Sequence, residues 1–159
     1  MTLTQYGTVL PETSQPLSSL DFGMLQRKLM DSKEGEGWTA KQAMFAISEY
    51  RRFLSIIVEF GNAVPNTIMD TVWHYHILDT RAYAEDCQTI AGEFIHHYPY
   101  FGMNGAEDEQ NLFNAFEETK RNYFDLFGEH LDRENDLFGN AQANHCHKCK
   151  GVCNRCNRG

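Results

Sequence analysis

The chain lacks the features that mark membrane, secreted and nucleotide-binding proteins. No stretch of its 159 residues is apolar over the roughly 20 positions that a transmembrane helix needs. Residues 1–7 have no basic start followed by an apolar segment, as a secretory signal would have. No glycine-rich loop could cradle a phosphate group. We therefore expect a cytoplasmic protein that does not bind membranes.

Familiar catalytic patterns are also missing. No serine lies in a nucleophile-elbow pattern, and no HExxH zinc motif occurs. Cys87 is the only cysteine before residue 141. It could act as a thiol nucleophile beside a histidine, but its place on an apolar helix stripe favours an inert core thiol.

Positive charge is scarce except at the C-terminal end. The net charge is −8, yet residues 141–159 contain four bases and no acid, a charge of +4. The other 140 residues contain 10 bases against 22 acids, a charge of −12. An acidic body repels phosphates, so we expect no nucleic-acid partner. The basic tail could lie against the acidic body of its own chain.

Strand-type alternation is absent, whereas helical periodicity is frequent. Hydrophobic residues make up 42% of the chain, enough for one domain with a real core. We predict an all-α fold, a compact helical bundle of four to five helices with an irregular C-terminal tail. Its parts are an irregular arm (1–17), a helical domain (18–140) and a Cys/His-rich tail (141–159). The predicted helices cover residues 20–31, 39–60, 66–91 and 107–127.

Local capping signals support these helices. Ser18 or Ser19 is a suitable cap for the first helix. The sequence from Thr39 to Gln42 matches a capping box that would begin the second. Gly61 and Gly92 are suitable stops for the second and third helices.

Residues 70–97 contain four of the seven histidines. Residues two apart on a helix point about 200° away from each other, so His74 and His76 cannot both bind one metal. His76 falls on the apolar side with Trp73, which predicts a buried histidine and a core tryptophan. His74 lies one turn after Asp70, and a carboxylate and an imidazole at this spacing can share a metal or hydrogen-bond to each other.

A turn after Gly92 could bring a further imidazole back to this helix. The predicted metal set is Asp70, His74 and one of His96 or His97, with water in a remaining position. Two histidines and one carboxylate suit catalytic zinc or non-haem iron. The alternative for Asp70 is a purely structural role, closing a capping box at the helix start.

The histidine segment and its surroundings resemble the glycine-rich domain-containing protein-like family, of the short bacterial stand-alone type, over about residues 38–128. The resemblance implies no defined activity. It centres on the pair Trp73-His74 and implies that the position of His76 can hold an aromatic residue. The chain departs from larger members because its 12 glycines are dispersed. The residues that carry the resemblance are Tyr50 to Phe53, Pro65, Asp70, Trp73, His74, His76, Thr80, Tyr83, Asp86, Cys87, Gly92, His96 to Gly102, Phe116, Thr119, Tyr123, Phe127 and Gly128.

The C-terminal tail contains two C-x2-C pairs separated by three residues, with His145 and His147 beside them. Clustered thiolates in a reducing compartment favour metal over disulfides, and zinc first among metals. The alternatives are two disulfides, an iron–sulfur cluster, redox thiols and a tail that another enzyme modifies. The predicted ligands are Cys146, Cys149, Cys153 and Cys156.

Three functions fit these patterns. The first is a metal-binding helical protein with a His/Asp site in its body and a thiolate zinc site in its tail. The second is a metal-dependent enzyme, an oxygenase or hydrolase, that uses Asp70, His74 and His96 or His97. The third is an interaction module whose tail docks an unknown protein partner.

Overall fold

The computed structural model describes residues 15–131 and 135–138 of the chain. Within these ranges the fold is all-α with no strand, which confirms the predicted fold class. None of these helices combines the length and the apolar character that a membrane span needs. The helices are α1 (Gln15–Ser18), α2 (Gly23–Met30), α3 (Ala40–Phe60), α4 (Thr67–Leu78), α5 (Thr80–Ala91), α6 (Ala106–Phe127) and α7 (Asn135–Phe138).

Helix α3 is the central element, since α1, α2, α4 and α6 all pack against it. The predicted capping box is present: the Thr39 hydroxyl accepts from the Gln42 amide, and the Gln42 side chain accepts from the Thr39 amide. Gly61 ends the helix in the left-handed conformation, with a φ of 87°. The buried residues of α3 are Ala43, Ala46, Ile47, Glu49, Tyr50, Phe53, Leu54, Ile56 and Ile57.

The single helix predicted over residues 66–91 is wrong, because the chain breaks at Asp79. This residue has a ψ of 77°, and it both ends α4 and begins α5. Its carboxylate accepts a hydrogen bond from the Ala82 amide, which caps α5. The break lets α5 turn back against α4. Residues about ten positions apart can therefore touch, although one straight helix would hold them about 15 Å apart.

The N-terminal helix also differs from its prediction. Instead of one helix over residues 20–31 capped by Ser18 or Ser19, the chain forms α1 and then α2. The Asp21 side chain accepts from the Gly23 amide at the start of α2. The guanidinium of Arg51 donates to the carbonyl of Leu17 in α1 and to that of Leu20 in the connection between α1 and α2. This side chain on α3 satisfies backbone acceptors that would otherwise continue a helix.

A buried polar network joins α3 to α6. The Tyr123 hydroxyl donates to the Glu49 carboxylate at 2.9 Å and accepts from Arg52 at 2.6 Å. Arg52 also pairs with Glu129 at 2.8 Å, just beyond the end of α6. Glu49 is almost fully buried, so its charge depends on these partners.

Replacing Arg52 with methionine should therefore destabilise the bundle. The variant removes the cation 3.6 Å from Glu49, and we expect a loss of about 2 kcal/mol in the free energy of unfolding. Urea unfolding measures this loss. Arg121→Met on the exposed side of α6 is the matched control, with an expected change within about 0.5 kcal/mol. Equal effects of the two substitutions would contradict the role given to Arg52.

Candidate metal site

Helix α4 presents Asp70 and His74 on its outer side, one turn apart. The helix begins at Asn66, whose side-chain oxygen accepts from the Met69 amide. The N-cap is therefore supplied by Asn66. The Asp70 carboxylate instead points towards His74, with 3.6 Å between Asp70 Oδ1 and His74 Nε2. The capping box considered for Asp70 does not form, because Asn66 is the N-cap residue and the Asp70 carboxylate lies beside the imidazoles of His74 and His97.

The segment after α5 returns to this side of α4. Gly92 ends α5 with a φ of 71°, a conformation that glycine adopts without strain. The chain then runs without helix through residues 94–98. Burial alternates along it: Phe94 and His96 are exposed, whereas Ile95 is buried and His97 is largely buried. His97 thereby faces α4, and His96 faces away.

Three ligand atoms converge where His97 meets α4. His97 Nε2 lies 2.9 Å from Asp70 Oδ1 and 3.0 Å from His74 Nε2. Together with the 3.6 Å between Asp70 and His74, these distances define a compact triangle. Within the described residues, this is the group of His, Cys, Asp or Glu side chains that could hold a metal ion.

The three atoms cannot all be joined to one another by hydrogen bonds at the same time. His97 Nε2 faces both other atoms, yet a single hydrogen on it can be directed at only one of them. If His97 Nε2 donates its hydrogen to Asp70, it cannot also donate to His74 Nε2. If His74 donates to His97 instead, His97 Nε2 and Asp70 Oδ1 meet lone pair to lone pair. A cation would accept all three lone pairs at once.

The triangle has the size that a first-row metal requires. Zinc binds imidazole nitrogen and carboxylate oxygen at about 2.0–2.2 Å. Three atoms that lie 2.9 Å, 3.0 Å and 3.6 Å apart can all be at that distance from one ion, so these residues could hold such a metal. Three ligands on one side leave the opposite positions open to water or another ligand.

Exposure differs sharply among the three side chains. His97 is 13% exposed, Asp70 38% and His74 51%. The Trp73 ring packs against the inner side of His97, with 4.3 Å between ring centroids. The three side chains therefore lie at the surface, with the Trp73 ring on the inner side of His97.

His76 lies on the other side of α4, in the core. It is 4% exposed, as its place on the apolar side predicts. The Tyr50 hydroxyl lies 2.9 Å from His76 Nδ1, and Asp86 lies 2.9 Å from His76 Nε2. Burial lowers the pKa of His76, although the hydrogen bond that its ring donates to Asp86 opposes that shift. A neutral ring that accepts from Tyr50 and donates to Asp86 satisfies all three groups.

The other predicted site residues lie elsewhere. The His96 ring is 4.9 Å from the Phe94 ring, on the exposed side of the segment, and does not join the triangle. Cys87 is buried, as expected of a core thiol. Cys146, Cys149, Cys153 and Cys156 lie outside the described residues. The zinc site assigned to them stays a prediction.

Sequence reasoning missed the polar partners behind the site. The Trp73 indole donates to the Tyr83 hydroxyl at 2.8 Å, and that hydroxyl donates to the Ile95 carbonyl at 2.5 Å. Each of these side chains belongs to the periodic apolar stripe, so periodicity alone described them as core. The helix break at Asp79 was the missing information, because it brings Tyr83 beside Trp73.

Comparison with known proteins corrects the family resemblance. The matching family model is described as UCP032817-like and covers residues 15–133. It supports no glycine-rich domain family, so the resemblance inferred from the aromatic and histidine motifs within about residues 38–128 is wrong. The search of curated proteins found no match, and neither did the search of solved structures. Because the matched residues make up well over half of the sequence, the chain belongs to the UCP032817-like family.

Proposed function

We propose that the protein binds one divalent transition-metal ion through Asp70, His74 and His97. The observation that carries the proposal is the convergence of three ligand atoms within 3.6 Å of one another on two separate segments. The two histidines and the carboxylate match the ligand types that first-row metals prefer. Zinc and iron(II) are the metals that this donor set suits best.

A metal-dependent enzyme, an oxygenase or hydrolase, is the second candidate. It is favoured by the side of the site that faces solvent, where His74 is half exposed. A metal with three protein ligands keeps positions for water and a substrate. Zinc held by these residues would supply Lewis-acid chemistry for hydrolysis, and iron would supply redox chemistry for oxygenation. A zinc site in the tail and a protein partner for it are further proposals from the sequence.

Elemental analysis of the full-length chain tests the proposed site. A variant with the four tail cysteines changed to serine (C146S, C149S, C153S and C156S) removes the competing thiolates. After anaerobic loading with zinc or iron(II) and desalting, we expect one metal ion per chain. A chain that keeps no metal under either condition would refute the proposed function. Comparison with the unsubstituted protein counts metal in the tail separately.

Cobalt(II) substitution tests the open positions. Its visible spectrum responds to coordination number and to added ligands. If the site has open positions, millimolar azide should shift the absorption bands of the cobalt-loaded quadruple serine variant. An unchanged spectrum would show that the coordination sphere is closed, and it would count against the enzyme candidate while leaving metal binding intact.

A further inference from the structure

We propose that the hydroxyl group of Tyr83, held by Trp73, is the positioning group that sets His97 at the metal site. The inference rests on the proposed metal site and names residues that do not contact the ion. Through this hydroxyl group, the bundle holds His97, which lies on an irregular segment, beside Asp70 and His74 on α4. We refer to the hydrogen-bonded chain of Trp73, Tyr83 and Ile95 as the aromatic clamp.

The aromatic clamp is fully satisfied and buried. Tyr83 has one hydroxyl hydrogen, which it donates to the Ile95 carbonyl at 2.5 Å. Its oxygen accepts the indole hydrogen of Trp73 at 2.8 Å. Burial raises the pKa of Tyr83, so the hydroxyl stays protonated and keeps its donor. Both tyrosine and tryptophan are almost inaccessible to solvent.

The aromatic clamp contacts both segments that carry the proposed ligands. Ile95 precedes His97 by two residues, and its carbonyl is fixed by Tyr83. Trp73 precedes His74 on α4, and its ring packs against the His97 ring at 4.3 Å. One hydroxyl therefore ties the returning segment to the helix that carries the other two ligands. Residues 94–98 form no helix, so regular backbone hydrogen bonding does not supply this constraint.

Removing the hydroxyl should loosen the ligand set before it unfolds the protein. In Tyr83→Phe, the Ile95 carbonyl and the Trp73 indole would both lose their partner in a buried place. The 95–97 segment would then sample positions in which His97 is out of reach of the ion. Loss of groups that orient metal ligands typically weakens metal affinity by about 10- to 100-fold.

The chain offers a matched control in Tyr123→Phe. The Tyr123 hydroxyl is also buried. It accepts a hydrogen bond from Arg52 and donates one to Glu49. It joins α3 to α6 rather than α5 to the returning segment. A merely structural effect of losing a buried hydroxyl should therefore appear in both variants, whereas an effect on metal affinity should appear only in Tyr83→Phe.

Zinc competition with a chromophoric chelator tests the inference in the full-length quadruple serine variant. We expect Tyr83→Phe to raise the zinc Kd by about 10-fold or more and Tyr123→Phe to leave it within about twofold. The cobalt(II) spectrum should change in the first variant only. If Tyr83→Phe does not fold, Trp73→Phe replaces it, with an expected rise in Kd of about threefold or more.

Three results would overturn the inference. Tyr83→Phe could bind zinc as tightly as its parent, or both tyrosine variants could weaken binding equally. In either case the parent still binds zinc, so the proposed metal site stands and only the positioning role fails. If the parent itself binds no zinc or cobalt, the proposed function and this inference fall together.

Discussion

Replacing His97 with alanine should lower the affinity for zinc by on the order of 100-fold or more. His97 Nε2 is the atom shared by the two short edges of the ligand triangle, at 2.9 Å and 3.0 Å. Without it, only Asp70 and His74 remain, 3.6 Å apart on an exposed helix surface. Two exposed ligands one turn apart bind a divalent ion weakly. Chelator competition in the quadruple serine variant measures the change.

His96→Ala provides the control for this substitution. The neighbouring histidine is exposed and its ring contacts Phe94 instead of the triangle. We expect its zinc Kd to stay within about twofold of the parent, because a surface substitution outside the ligand set changes little. If His96→Ala weakened zinc binding as much as His97→Ala, His96 would contribute to the metal site as much as His97 does. That result would refute the site described above.

Replacing Phe53 with alanine should cost about 3–5 kcal/mol in the free energy of unfolding. Phe53 is fully buried in α3. Its ring lies 5.1 Å from Trp73 and 6.4 Å from Tyr50. The substitution therefore opens a cavity between the central helix and α4, directly behind the Trp73 ring that packs against His97. Urea unfolding of the full-length protein measures the loss.

Met44→Ala is the control on the same helix. Met44 is 61% exposed, and its truncation should change stability by about 0.5 kcal/mol or less. A loss below about 1 kcal/mol for Phe53→Ala would show that α3 is not the centre of the core. A large loss for Met44→Ala would show that the outer face of α3 is covered.

The helices that carry strong capping signals could be predicted from the sequence. The capping box from Thr39 to Gln42 fixes the start of α3, and Gly61 fixes its end. The helix predicted over residues 107–127 differs by one residue from α6. These signals depend on residues a few positions apart in the sequence, so they do not require tertiary contacts.

The break at Asp79 could not be predicted in this way. Apolar periodicity continues across Asp79, from Met69 to Ala91. The same pattern is therefore compatible with one long helix or with two shorter ones. An aspartate such as Asp79 can also lie on the surface of a continuous helix, so its identity alone does not predict a break. The break between α4 and α5 is stabilised by tertiary contacts. Those contacts include Trp73 with Tyr83 and His76 with Asp86.

The sequence also left open which of two adjacent histidines faces α4. In an extended segment, neighbouring side chains point to opposite sides. Once Ile95 is known to be buried, the same side must also carry His97, and His96 must face solvent. The apolar character of Ile95 was a usable signal for this choice. Its use required knowing that the segment after Gly92 is extended rather than coiled.

Whether these three residues bind a metal can be seen in a crystal structure of the full-length quadruple serine variant loaded with cobalt(II) or zinc. We predict an anomalous difference peak about 2.0–2.2 Å from Asp70 Oδ1, His74 Nε2 and His97 Nε2, with solvent on the far side. A loaded ion bound at other residues, or these three side chains joined only by hydrogen bonds, would contradict it.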